Sequence, residues 1–166
     1  MIGSKGTHVT VASFNLWPRL AGLLKYQLAA MCVGPKLEIL SCMGLRCLIV
    51  DDNPEFLKAA TDLLQRQGLN VVGIASNIAD ALKKANELQP DVSLVDIDLG
   101  DESGLDLAVH LSAAPTKNGS QVILISAYSE MDYADLIAAS PAVGFLSKSD
   151  LSGKAVQETL NSSSRG

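Results

Sequence analysis

PDVSLVDIDLGDESGLDL (Pro90–Leu107) decides the fold. Its first part, VSLVDID (Val92–Asp98), is a mostly apolar run of strand length that closes on acids. GDESG (Gly100–Gly104) reads as a loop, and Ser103 is placed to cap a helix beginning near Leu105. A strand written as a nearly continuous apolar run, without alternation, is buried on both faces. Burial on both faces calls for a parallel sheet covered by helices on each side.

The same grammar recurs on either side. Upstream, CLIV (Cys47–Val50) is a short apolar strand ending abruptly in Asp51-Asp52. Asn53-Pro54-Glu55 then reads as a helix start, with an N-cap, a proline at the first helical position and an acid in the first turn. Phe56, Ala59, Ala60, Leu63 and Leu64 follow at helical spacing, and Gly68 ends the helix. VVGIA (Val71–Ala75) is a second strand. Asn77 caps a second helix with Ile78, Ala81, Leu82, Ala85 and Leu88 on its apolar face, stopped by Pro90. Downstream, QVILIS (Gln121–Ser126) and GFLS (Gly144–Ser147) are the fourth and fifth strands. Helices are expected over roughly Met131–Ala138 and Asp150–Leu160. Five strand–helix repeats result, hence an α/β, doubly wound, five-stranded parallel sheet.

In such sheets chemistry collects at the carboxyl ends of the strands. Strand one ends in Asp51-Asp52, strand three in Asp96, strand four in Ser126 and strand five in Lys148. Taken singly, each has an ordinary explanation: an Asp after a strand is usually a turn former or a cap, and a lysine is usually solvated. Five polar residues at strand ends of one chain make coincidence the poorer account. Three gathered carboxylates repel one another, and Mg²⁺ suits a few carboxylates with waters and phosphoryl oxygens. With Mg²⁺ and Lys148 supplying positive charge, one carboxylate can attack phosphorus and the Ser126 hydroxyl can bond the new phosphoryl oxygens.

LIVDD (Leu48–Asp52), PDVSLVDIDLGDESGLDL, VILISA (Val122–Ala127) and AVGFLSKSDL (Ala142–Leu151) together resemble, in order, the signature segments of bacterial CheY-like receiver domains. The resemblance runs from about Arg46 to Leu160 and implies a (βα)5 flavodoxin-like topology. It implies Asp96 as phosphoacceptor. Asp51, Asp52, Asp96 and the backbone carbonyl of Asp98 are then the Mg²⁺ ligands, with Asp52 the more direct of the acidic pair. Ser126 contacts the phosphoryl group and moves on activation, Lys148 pairs with a phosphoryl oxygen, and Phe145 is the aromatic rotamer switch. A histidine kinase or phosphotransfer protein is the implied donor. The implied output is a changed protein surface over helix four, strand five and helix five, which is also the face for a homodimer. The protein is expected to be a phosphoswitch with slow self-dephosphorylation rather than an enzyme with turnover, and a stand-alone receiver acting by docking to an unknown target. Two departures stand out. Gly100 replaces a frequent proline and is expected to loosen the loop. Ser149 follows Lys148 where proline is common, which removes the cis peptide such a proline brings and leaves Lys148 room to shift, although the KSDL form resembles that of a receiver subgroup often joined to helix-turn-helix output domains.

Two other readings compete with this one. Asp96-Ile-Asp98 also resembles the nucleophile motif of haloacid-dehalogenase phosphatases, but that family places its second acidic pair after the lysine, whereas Asp51-Asp52 come first here. An unphosphorylated interaction module on the same fold would not need a complete acidic site, serine and lysine.

Composition agrees with the fold. The chain has 166 residues, enough for one domain of ordinary size, and aromatics are scarce, so the core must be aliphatic. Residues 1–44 carry a formal +3 and residues 45–166 a formal −8. No basic stripe is available to neutralise phosphates, so direct nucleic-acid binding is not expected. Cys32, Cys42 and Cys47 show no metal or redox spacing; Cys47 reads as a small buried hydrophobe in a reducing compartment. Pro18, Arg19 and Lys25 cut the apolar part of residues 1–44 into pieces shorter than the ~20 residues a membrane span needs. That segment is expected to be a disordered or loosely helical extension, or upstream sequence read from an early start, with Met43 a sensible true start. The domain is expected over 45–161, with a disordered tail over 162–166, in the cytoplasm and without membrane attachment.

Overall fold

The computed structural model describes residues 44–114 and 120–163. The extension, with Met43, Cys32 and Cys42, lies outside them. The five sheet strands are β1 (Arg46–Val50), β2 (Asn70–Ala75), β3 (Val92–Asp96), β4 (Gln121–Ser126) and β5 (Gly144–Ser147). The helices are α1 (Pro54–Arg66), α2 (Ile78–Leu88), α3 (Gly104–Ala113), α4 (Glu130–Ala139) and α5 (Gly153–Ser163). All strand pairings in the sheet are parallel, in the order β2-β1-β3-β4-β5. This is the doubly wound order in which the chain reverses direction between β1 and β3, opening a crevice at their carboxyl ends.

The apolar runs do what their composition requires. Every residue of β3 is buried, and Leu48, Ile49, Val50, Ile123, Leu124 and Ile125 are fully inaccessible. Alternate strand residues feed two cores: Ile49, Leu94 and Ile125 face α1 and α5, whereas Leu48, Val95 and Leu124 face α2 and α3. Cys47 is fully buried, and burial pushes its thiol up to about 12, so it is an inert core residue.

The caps are those the sequence announces. Asn53 accepts from the amides of Glu55 and Phe56, Asn77 from Asp80 and Ser103 from Asp106. Several boundaries and one face differ from expectation. The third strand stops at Asp96, and Asp98–Leu99 instead pairs antiparallel with Glu102–Ser103. The fourth helix starts at Glu130, where Ser129 and Asp132 form a reciprocal capping box. The last helix is preceded by a 3-10 turn at Lys148–Asp150, begins at Gly153 and continues through Ser163, so Ser162 and Ser163 are helical rather than tail. In α1, Leu57 is buried and Ala59 exposed, the reverse of the expected assignment. The helix turns Leu57, Ala60 and Leu64 inward, and the short Ala59 side chain costs little left in water.

Gly104 carries a tight constraint. A Cβ there would land on the carbonyl oxygen of Asp96, and the Gly104 amide donates to the carbonyl of Ile97 at 2.9 Å. The first turn of α3 therefore sits against the backbone of the β3 terminus, which only a residue without a side chain permits. Gly104→Ala is expected to lower the unfolding free energy by about 1–3 kcal/mol or more, since the obstructing atoms are backbone and cannot rotate away. Chemical denaturation measures this, and amide shifts of Asp96 and Ile97 should move in the folded fraction.

Candidate functional site

The carboxyl ends of β1, β3, β4 and β5 bring together Asp51, Asp52, Asp96, Ser126 and Lys148. Asp51 is fully buried; its Oδ1 accepts from the amide of Asn53 at 3.0 Å. Lys148, just past β5, places its Nζ 2.6 Å from Asp51 Oδ2 and 2.7 Å from Asp96 Oδ2. The second contact is a hydrogen bond. The first is an ion pair without hydrogen-bond geometry, which leaves Asp51 Oδ2 a buried acceptor with no donor. Ser149 thus does not displace Lys148: the 3-10 turn, held by Ser147 Oγ to Ser149 Oγ at 2.8 Å, delivers the ammonium to both carboxylates.

Burial pushes the Asp96 carboxyl up from 3.8 to about 6; Lys148 pulls it back down, the negative charge of Asp51 adds to the rise, and the Asp98 backbone opposes it. For Lys148, burial works against the charged form, but the close contacts with the Asp51 and Asp96 carboxylates and their negative charge outweigh it and raise its pKa. The ammonium is therefore secure, while the carboxyl beside it is poised within reach of neutrality.

Asp51, Asp52 and Asp96 each offer an oxygen within 4.8 Å of the others. Three convergent hard donors, one on exposed Asp52 and one on buried Asp51, whose Oδ2 has the Lys148 ion pair but no hydrogen bond, fit a small divalent cation with open coordination positions. The Asp98 side chain is not in this group. It points to α4 and accepts from Tyr133 Oη at 2.9 Å, so any ligation by Asp98 would use its backbone. That hydrogen bond also raises the Tyr133 pKa.

Ser126 is buried at the end of β4, and its Oγ accepts from the amide of Tyr128 at 3.1 Å. Ser126, Tyr128 and Gly100 border the same open cleft as Asp52, Asp96 and Lys148. Phe145 does not. It is half-buried in the wall of a neighbouring groove with Tyr128, Ser129 and Ser147, packed against the core on the α2–α3 side.

Gly100 has φ +62°, in the left-handed region closed to proline. The loop it belongs to is pinned rather than loose. The antiparallel pair encloses it, and Glu102 accepts from the amide of Ile78 at 2.7 Å, capping α2. Sequence reasoning missed three partners here: Glu102 for α2, Tyr133 for Asp98, and Phe56, whose ring centroid lies 4.6 Å from Lys148 Nζ. None has a local sequence signal, because each pair is joined only by the fold.

The raised Asp96 value has a stability consequence. The protonated form favours the fold, a contribution present below about pH 4 and lost as pH rises through about 6, where Asp96 ionises at the folded site. With divalent cations removed by EDTA, Asp96→Asn should therefore stabilise the protein at about pH 8, by on the order of 1–3 kcal/mol. The gain should vanish towards about pH 4. Urea denaturation of both proteins across that range checks the sign.

Comparison with known proteins agrees with this geometry. The model of the response regulator receiver domain matches residues 47–158. A curated relative from Pseudomonas aeruginosa described as a transcriptional regulator is 32% identical over 103 residues, covering 62% of this chain and 49% of that protein. The chain spans no more than about half the length of the first curated relatives it matches. Among solved structures, the receiver domain of the response regulator NarL from Mycobacterium tuberculosis is 28% identical with a TM-score of 0.63, over 74% of this chain and 98% of that one. A Burkholderia pseudomallei response regulator, whose structure is described with a phosphorylated aspartic acid, calcium ion and citrate, is 26% identical with a TM-score of 0.61, over 72% of this chain and 69% of that one. A five-stranded sheet in the order 2-1-3-4-5, an acidic cluster at its carboxyl end and a family match over two thirds of the chain lead to one assignment: this chain belongs to the response regulator receiver family of two-component signalling.

Proposed function

We propose that Asp96 accepts a phosphoryl group from a histidine kinase or a phosphotransfer protein and that the protein signals through the resulting change of surface. The observation that carries this reading is the placement of Asp96: buried at the end of the central strand, 2.7 Å from an ammonium, within a carboxylate cluster. An oxygen of ionised Asp96 forms the new bond to phosphorus. The bond from phosphorus to the donor imidazole nitrogen breaks, and its electron pair stays on that nitrogen. With the other ring nitrogen of the donor already carrying a proton, the products are aspartyl phosphate and neutral histidine. With a folded pKa of about 6, Asp96 is largely ionised near neutral pH and available as nucleophile.

Asp51, Asp52 and Asp96, with the Asp98 carbonyl, would hold Mg²⁺, which when bound supplies positive charge against the phosphoryl oxygens. Lys148 pairs with a phosphoryl oxygen from the β5 side. Ser126 leaves its bond with the Tyr128 amide and donates its hydroxyl proton to a phosphoryl oxygen, drawing the β4–α4 loop inward. Phe145 then turns into the space that loop vacates. A differential of ~1–3 kcal/mol between the two surfaces suffices for a useful switch. The α4 side is suited to be read: the helix has no buried residue, and Tyr128, Met131 and Leu136 are exposed. A partner protein or a second copy would dock there. The Burkholderia pseudomallei relative with its phosphorylated aspartic acid supports the chemistry, and a donor kinase that draws on ATP would call for a cytoplasmic location.

Incubation with acetyl phosphate or phosphoramidate and Mg²⁺, read by intact mass, should show a gain of one phosphoryl group. The gain should be absent in Asp96→Asn, absent with EDTA and at least about tenfold slower in Lys148→Ala, given that charged hydrogen bonds are worth ~1.5–3 kcal/mol. Repeated turnover of a simple phosphomonoester would instead point to the phosphatase reading. Beryllofluoride with Mg²⁺ should shift the amides of Ser126 and Phe145; unshifted spectra of folded protein would favour an unphosphorylated interaction module.

A further inference from the structure

We propose that Phe56 is a positioning residue for Lys148: its ring holds the ammonium over the acceptor site by a cation–π contact that persists when the carboxylate partners are engaged elsewhere. The inference rests on the phosphoacceptor reading and adds to it a group from α1, an element otherwise concerned with packing.

The local sequence fixes the helical turn that carries the ring. Pro54 opens α1, and Asn53 Oδ1 accepts from the amides of both Glu55 and Phe56, so the first helical turn is clamped at the mouth of the crevice. Phe56 packs one side against the core formed with Ile49, Leu94 and Ile125. Its face is then presented to Lys148 Nζ at 4.6 Å from the centroid, inside the ~6 Å range of cation–π attraction. The Lys148 side chain retains 18% of its exposure, so the ring competes with partial rather than full hydration.

The other two partners of Lys148 are both carboxylates, at 2.6 and 2.7 Å, and both belong to the group that would bind a cation. In the phosphorylation step an Asp96 oxygen bonds to phosphorus, the donor bond breaks with its electron pair leaving on the donor, and Lys148 must exchange a carboxylate for a phosphoryl oxygen. A long, flexible lysine has many rotamers available at that moment. The ring is the one partner among these contacts that neither titrates nor changes bonding during the step. It restricts the side chain and excludes water from one side of it.

The experiment uses the whole chain and the variants Phe56→Leu, which keeps an apolar side chain without a π face, and Phe56→Tyr, which keeps the face. In spectra of the unphosphorylated protein, the Lys148 ε-methylene protons should be displaced upfield by the ring. They should remain so in Phe56→Tyr and move to ordinary positions in Phe56→Leu. With acetyl phosphate and Mg²⁺, Phe56→Leu should be phosphorylated about three- to tenfold more slowly at matched stability, and Phe56→Tyr at close to the parent rate. An unshifted Lys148 in the parent, an unchanged rate in Phe56→Leu, or a Phe56→Tyr as slow as Phe56→Leu would each overturn the proposal. Failure of the phosphoacceptor reading shows separately, as no phosphoryl gain in the parent, and the ring-shift measurement then decides the positioning alone.

Discussion

Three carboxylates meet at the carboxyl end of a sheet whose two faces are sealed by aliphatic side chains, and their mutual repulsion is offset by one ammonium. Lys148 contacts Asp51 and Asp96 together, and nearly every unusual property of the site follows from that shared ion pair. It lets Asp51 stay in a fully buried position, restrains the rise of the Asp96 carboxyl and keeps the lysine charged despite burial. A pair of this kind is weak support for stability, because desolvation consumes much of the attraction. Its value in the proposed reaction is chemical: the site holds charge that a cation and a phosphoryl group would take over.

The surrounding fold is arranged so that this tension cannot relax by moving the backbone. β3 is buried along its whole length, and α3 lies on the carbonyl of Asp96 through Gly104. The loop after the acceptor is tied to itself by an antiparallel pair and to α2 by Glu102. The lightest packing lies on the other side. α4 buries no residue and is tethered to the acceptor loop through Tyr133 and Asp98. Under the proposed phosphoacceptor role, rigidity beneath Asp96 and a lightly packed helix beside it suit a device that turns a local change of charge into a change of surface.

Much of this was legible in the residues. The apolar runs located all five strands of the sheet, and Asn53, Asn77 and Ser103 announced the helix starts because a cap acts on its own next turn. Strand-end polarity predicted one edge for Asp51, Asp52, Asp96, Ser126 and Lys148, and they lie together there, since a parallel sheet sends every strand terminus to one edge. Local reading failed where a nearby alternative competed. Leu57 displaced Ala59 on the inner face of α1, and Ser149 formed a 3-10 turn that kept Lys148 on its carboxylates instead of shifting it. Asp98 looked like part of the third strand, but its pairing with Ser103 belongs to a separate turn.

By itself, then, the sequence determined the class of fold, the order of its elements and the five residues at the strand ends, because periodicity, capping and strand polarity act over a few residues or by a general rule of topology. Only the tertiary structure decided that Phe56 faces Lys148, that Tyr133 engages Asp98, that Glu102 caps α2 and that Gly104 meets the Asp96 carbonyl. Those contacts join residues from different elements across packed surfaces. Whether two side chains meet there depends on helix rotation and loop path, which are set by the packing of the whole core rather than by any neighbouring residue.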